Sequence, residues 1–279
     1  MRKSTLTSGQ RLQRHGQASP TRGERDKCYI ANLIVIGASA GGHRALVEIV
    51  KSLSADMPAA VVMLLHMPLR SIYSLRQSLE RFSRLPIIEV ENREPLQQGF
   101  IFSLPPGRTA TFSRGVIEVD AGIPDRPLST INHLFKSAAQ NYYDRVIGVI
   151  LTGLLRDGTE GLRAVHEAGG LTMVQDPREA EYEDMPSNAM EGLPVTFCLN
   201  VAEIGSALEL LVRRTARFET GLAVAVRTLR DRAALLVRLI DQSSRNPGTR
   251  EFLSNELTSL RREVQSIDEL VKASLAKHA

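Results

Sequence analysis

Between residues 29 and 214 the chain alternates short apolar runs with amphipathic segments. "NLIVIG" (32–37), "AAVVMLLH" (59–66), "RVIGVILTG" (145–153), "LTMVQD" (171–176) and "VTFCL" (195–199) are apolar at almost every position. That pattern belongs to strands covered on both faces. Apolar positions three and four apart predict helices over 43–53, 71–84, 130–142, 158–168 and 202–213. Strand alternating with helix predicts the α/β class, as a doubly wound and mostly parallel sheet. Residues 94–119 break the rhythm. Their β-type runs are separated by Pro105-Pro106-Gly107 and Arg114-Gly115, which predicts an antiparallel hairpin edge to that sheet.

A different pattern fills 216–279. Leu222, Val226, Leu229, Ala233, Leu236 and Ile240 recur at alternating spacings of four and three, and after the breaker Pro247-Gly248 the rhythm resumes at Leu253, Leu257, Leu260, Val264, Ile267 and Val271. Two helices in a hairpin or coiled coil are expected, a C-terminal helical extension that either packs back on the core or forms a homodimer. Residues 1–28 have no apolar period and read as a disordered basic tail, which leaves 29–214 as the α/β domain.

Charge changes the picture only at that tail. The formal net charge is +4, but 1–28 contribute +5, so the rest of the chain is nearly neutral. The tail is read as solvated; contact with nucleic acid or anionic lipid is the other reading, and no nucleic-acid-binding motif accompanies it, so no nucleic-acid partner is expected. Cys28 and Cys198 are the only cysteines and form no CxxC pair, which argues for a reducing, cytoplasmic setting without disulfide or zinc framework. No apolar run is long enough for a membrane span, and no secretory signal is recognisable.

The candidate chemistry starts at Gly37-Ala38-Ser39-Ala40-Gly41-Gly42. Ser39 stands where a dinucleotide fingerprint needs its middle glycine, and no Lys-Ser or Lys-Thr follows, so both phosphate-cradle patterns fail. G-x-S-x-G between a strand and a helix fits a serine lifted on a sharp turn, with helix N–H groups aimed at a developing oxyanion. A tight turn without chemistry is the competing reading. A nucleophilic serine needs a base and a carboxylate to orient it. Of the six histidines, His66 alone ends a predicted parallel strand, the edge where such sheets bind ligands. His15 and His278 are terminal, His133 and His166 fall on helices, and His43 is a candidate for a supporting role. The strand at 146–151 runs into "LTGLLRDGTEG" (151–161) and delivers Asp157 to the same rim, unless Asp157 only caps the helix at 158–168. HExxH, CxxC and dense histidine clusters are lacking, so neither metal nor cofactor is expected.

"IGASAGG", "LLHMP", "EPLQQGFIFSLPPGR", "LTGLLRDGTEG", "QDP" and the Met-Pro at 185–186 together resemble the catalytic domain of the chemotaxis protein-glutamate methylesterases, the CheB family, over about 31–213. The resemblance implies a Ser39–His66–Asp157 triad that hydrolyses methyl esters of glutamate on chemoreceptor cytoplasmic helices, with glutamine deamidation in some members. It implies backbone oxyanion donors at Ala40 and Leu154. Arg126, from an Arg-Pro resembling the family's, is assigned with Met67 to substrate positioning. The family's L-T-G-M-G-x-D-G reads here with Leu154-Leu155 for Met-Gly, and a positive φ at that glycine would leave Leu155 strained. "PREAEYED" (177–184) is more acidic than the family's small and apolar residues there. Only some 30 residues precede the first strand, so a receiver domain is expected to be absent. A catalytically inactive scaffold that binds partner helices is the alternative reading.

Overall fold

The computed structural model describes residues 32–113, 115–120, 129–242 and 247–276. The basic tail at 1–28 and Arg126 lie outside the described residues.

The five apolar runs are all strands. β1 (Leu33–Ala38) and β2 (Ala60–Leu65) are buried at every position. α1 (Gly42–Ser52) joins them, and the loop after β2 leads to α2 (Leu75–Glu80). Then come β3 (Ile87–Glu89), β4 (Arg93–Pro95), β5 (Phe100–Ser103), β6 (Ala110–Ser113) and β7 (Val116–Val119). α3 (Thr130–Tyr142), β8 (Val146–Ile150), α4 (Thr159–Glu167), β9 (Leu171–Gln175), α5 (Asp184–Met190) and β10 (Phe197–Leu199) complete the α/β region.

Seven strands form one parallel sheet in the order β10-β9-β8-β1-β2-β5-β3. The chain starts at β1 and winds outward in both directions, so the topological switch lies where β1 meets β2 and β8. Successive residues of β1 serve opposite layers. Leu33 and Val35 join Ile131, Leu134, Phe135, Leu162 and Val165 beneath α3 and α4. Ile34 and Ile36 join Leu46, Ile49, Val50, Ile204, Leu208 and Val212 on the other face. Each such fully buried side chain stabilises the fold by about 1.5–3 kcal/mol relative to exposure.

The segment expected to be a hairpin edge divides. "FIFS" enters the main sheet as β5, parallel to β2 and β3, because its residues are apolar on both faces. The remainder forms a separate antiparallel sheet, β4-β7-β6, whose Phe112 and Ile117 pack into the α3 layer.

The helix expected over 202–213 does not stop there. α6 runs from Val201 to Gln242 as one element, since no proline interrupts 201–242 and two isolated glycines, Gly205 and Gly221, are tolerated. Its first part is fastened to the domain: Arg213 bonds Asp56 at 2.6 Å, and Glu209 accepts from Ser54 N–H at 2.6 Å. Beyond that, α7 (Pro247–Ala276) returns along α6, and Leu236, Leu257 and Leu260 are buried between them, flanked by Leu229, Ala233, Ile240 and Leu253. Among the described residues no helix is long and apolar enough to cross a membrane.

Candidate active site

Three chain segments meet at the switch point. β1 ends at Ala38, and Ser39 follows in a turn that Gly41 closes at φ +73° before α1 begins. Glu181 leaves no room there for a Cβ, which would lie 2.9 Å from its own Cβ. The backbone ties the turn to both neighbours. Ser39 N–H donates to the Thr152 carbonyl at 3.1 Å, and His66 N–H donates to the Ala38 carbonyl at 2.9 Å. Below Ser39, Gly153 makes the close approach: a Cβ there would sit 2.7 Å from Ser39 Cβ and would collide with Met185 Sδ. Thr152 braces the same turn by donating to the Ala40 carbonyl at 3.1 Å.

His66 leaves the end of β2 and reaches Asp157, with Nε2 at 2.9 Å from Oδ2. A carboxylate only accepts, so this bond puts the hydrogen on Nε2 and leaves Nδ1 as the ring nitrogen with a free lone pair. The Thr130 hydroxyl oxygen also lies 2.9 Å from Nε2. Among the described residues the Ser39 hydroxyl makes no hydrogen bond, and such contacts commonly form only once substrate is bound.

Asp157 is 3% exposed and both its oxygens are in use. Oδ2 accepts from His66 and from Ile131 N–H at 2.9 Å, and Oδ1 from Asn132 N–H at 3.0 Å and Gly158 N–H at 2.8 Å. Asp157 therefore does serve a helix terminus, but that of α3, whose first N–H groups point at it. The residue that opens α4 is Gly158, at φ +95°. Capping and holding His66 are tasks of one carboxylate.

Among the described residues Ala40 N–H and Leu154 N–H have no acceptor, so both are free to donate to an oxygen brought to Ser39. Leu155 is at φ +67°. Its N–H donates to Asp184 Oδ2 at 3.1 Å, and its carbonyl accepts from Asn188 Nδ2 at 2.8 Å. α5 gives no sequence signal of its own, being 7 residues long with Pro186 in its first turn, where a proline costs no hydrogen bond.

The remaining candidates fall elsewhere. Met67 is half-buried against the α1 layer. His43 packs edge-on against Tyr73, with 5.6 Å between ring centroids, and burial, with Arg81 next in effect, holds its pKa below the ordinary value. His133 pairs with Asp120 on the surface. A cavity of about 470 Å³ behind the Gly41 turn is lined by Arg44, Glu48, Gln175, Glu179 and Glu181 among others, and neither His66 nor Asp157 reaches it. No group of three His, Cys, Asp or Glu among the described residues is placed to hold a metal ion. Thr130, Asp184 and Asn188 carry no local motif; each meets its partner from at least 29 residues away in sequence.

A parallel sheet whose switch-point rim gathers a serine on a tight turn, an imidazole and a carboxylate has the design of a hydrolase. The CheB methylesterase family model matches residues 34–208, and the chain belongs to that family. It is 36% identical over 203 residues to a protein-glutamate methylesterase/protein-glutamine glutaminase of Anaeromyxobacter dehalogenans, covering 72% of this chain and 58% of that one. A putative protein of the same description from Leptospira interrogans is 36% identical over 187 residues, covering 64% of this chain and 93% of the relative. The crystal structure of the CheB methylesterase catalytic domain of Thermotoga maritima superposes with a TM-score of 0.60 at 29% identity, over 65% of this chain and 98% of that one. The chain thus spans a little over half the length of the Anaeromyxobacter relative and nearly all of the Leptospira one.

Proposed function

We propose that this chain is a serine hydrolase that removes methyl esters from glutamate side chains of chemoreceptor-like signalling proteins, through Ser39, His66 and Asp157. The observation that carries the reading is the 2.9 Å bond between His66 Nε2 and Asp157 at the rim where Ser39 emerges. In this scheme His66 Nδ1 takes the Ser39 proton as Ser39 Oγ attacks the ester carbonyl. Ala40 N–H and Leu154 N–H receive the oxyanion. The tetrahedral intermediate collapses with cleavage of the bond to the methoxy oxygen, and His66 returns the proton so that methanol leaves. Water, activated by the same imidazole, then hydrolyses the glutamyl ester of Ser39 to glutamate and free serine. Glutamine deamidation runs through the same acyl-enzyme with ammonia as leaving group, in keeping with the glutaminase named for the relatives.

The test is methanol release from a methylated chemoreceptor cytoplasmic fragment. Wild type is expected to release it, and Ser39→Ala to lose all but a residue of the rate. Release undiminished by Ser39→Ala removes the serine from the mechanism, and no release from wild type removes this substrate class.

A further inference from the structure

The loop after β8 holds a backbone conformation at odds with its sequence. Leu155 is at φ +67°, and a residue with a Cβ stays in the left-handed region only where its surroundings over-determine it. The surroundings here are two side chains one turn apart on α5. Asp184 Oδ2 accepts Leu155 N–H at 3.1 Å, and Asn188 Nδ2 donates to the Leu155 carbonyl at 2.8 Å. Asn188 also donates to the Asp184 carbonyl at 2.8 Å, so its amide is itself anchored to the helix. On the other side of Leu154, Met185 N–H donates to the Gly153 carbonyl at 3.0 Å. α5 therefore grips the main chain on both sides of Leu154, whose own N–H meets no acceptor among the described residues. The leucine side chains contribute little to the grip, being 49% and 54% exposed.

We propose that Asp184, backed by Asn188, is a positioning residue that aims Leu154 N–H at the oxyanion by holding Leu155 in its left-handed conformation. The proposal rests on the reading of Ser39 as nucleophile. It joins two features of this sequence, the leucine at 155 and the acidic run that ends at Asp184. A carboxylate achieves by hydrogen bonding what a glycine achieves by conformational freedom. A donor fixed in place before the reaction lowers the barrier without tightening substrate binding, so its loss is read in kcat rather than KM.

The experiment compares full-length wild type, Asp184→Ala, Asp184→Asn and the double variant Asp184→Ala/Leu155→Gly. Two rates are measured for each: labelling of Ser39 by a fluorophosphonate, and methanol release from the methylated receptor fragment. Asp184→Ala is expected to slow both by about 10- to 100-fold with KM within about twofold. Asp184→Asn keeps an acceptor oxygen and is expected to retain most of the rate. The double variant is expected to recover most of the loss, because glycine takes the conformation unaided; a purely structural role for Asp184 gives no such recovery. Labelling of Asp184→Ala at the wild-type rate, or a double variant no faster than Asp184→Ala, overturns the proposal. If wild type labels but releases no methanol, the ester assignment falls while the labelling rates still decide the role of Asp184. If wild type does not label, both fall together.

Discussion

The Thr130 hydroxyl and the His66 imidazole meet at 2.9 Å, on the ring nitrogen that Asp157 also holds. Since Nε2 carries the single hydrogen, Thr130 is a second acceptor for it, placed by the first residue of α3. Its backbone is fixed in turn by Thr109, whose hydroxyl donates to the Thr130 carbonyl at 2.9 Å. Thr130→Val keeps the shape and removes this acceptor. It is expected to lower kcat by about tenfold, the worth of one modest hydrogen bond, with Thr130→Ser close to wild type. Equal rates for the valine and serine variants at every pH count against a role for the hydroxyl.

Asp157 links the rim to the start of α3, so its loss has two separable effects. Asp157→Ala leaves the Ile131, Asn132 and Gly158 N–H groups without their acceptor. A stability loss of about 2–4 kcal/mol is expected from urea unfolding. Asp157→Asn retains one acceptor oxygen, so it is expected to lose less stability while still losing most ester hydrolysis. Amide exchange at Ile131 and Asn132, followed by hydrogen-deuterium exchange, is expected to quicken in the alanine variant. Unchanged protection at those two amides contradicts the capping role.

His43 gives the fold a pH dependence of its own. Burial, and after it the Arg81 charge, lower its folded pKa from an ordinary value near 6.5. Between the two values the unfolded chain binds more protons than the folded one, so stability rises with pH there. It falls as pH drops through about 6.5 and levels off below the folded pKa. His43→Phe, which keeps a ring against Tyr73, is expected to flatten that part of the profile when unfolding free energies at about pH 5.5 and 8 are compared. A variant that loses as much stability as wild type across this interval assigns the acid sensitivity to other groups.

Much of the architecture was legible along the chain because burial on both faces leaves unbroken apolar runs. β2, β8, β9 and β10 fall inside the runs that predicted them, β1 passes the end of its run by one residue, Ala38, and α3 matches its expected range of 130–142. The strand ends then placed Ser39, His66 and Asp157 on one rim. Strand partners were less legible. β5 and β6 look alike locally, and only packing assigns the first to the parallel sheet and the second to the small antiparallel one. The continuous α6 was hidden because the rhythm of its apolar positions shifts where it leaves the domain, although the backbone does not break. Thr130 and Asp184 were illegible for a different reason. A serine or histidine at a strand end carries a local pattern, whereas a threonine or aspartate that acts through a neighbour is recognised only when the neighbour is seen. The strain foreseen for Leu155 is present, but its remedy lies on a helix too short to show a period.

The two backbone bonds at the end of β1 carry a consequence for how this surface diversifies. Ser39 N–H and His66 N–H are tied to Thr152 and Ala38 by the same kind of bond that joins the strands. The spacing between the serine and histidine backbones is therefore inherited from the sheet and owes little to the loops around them. Loops 67–74 and 176–183 are free to drift in length, charge and shape like exchangeable fittings on a fixed frame. An acidic segment here, or an exposed Ile72 there, alters what the rim presents to a visiting protein while the frame beneath keeps its gauge.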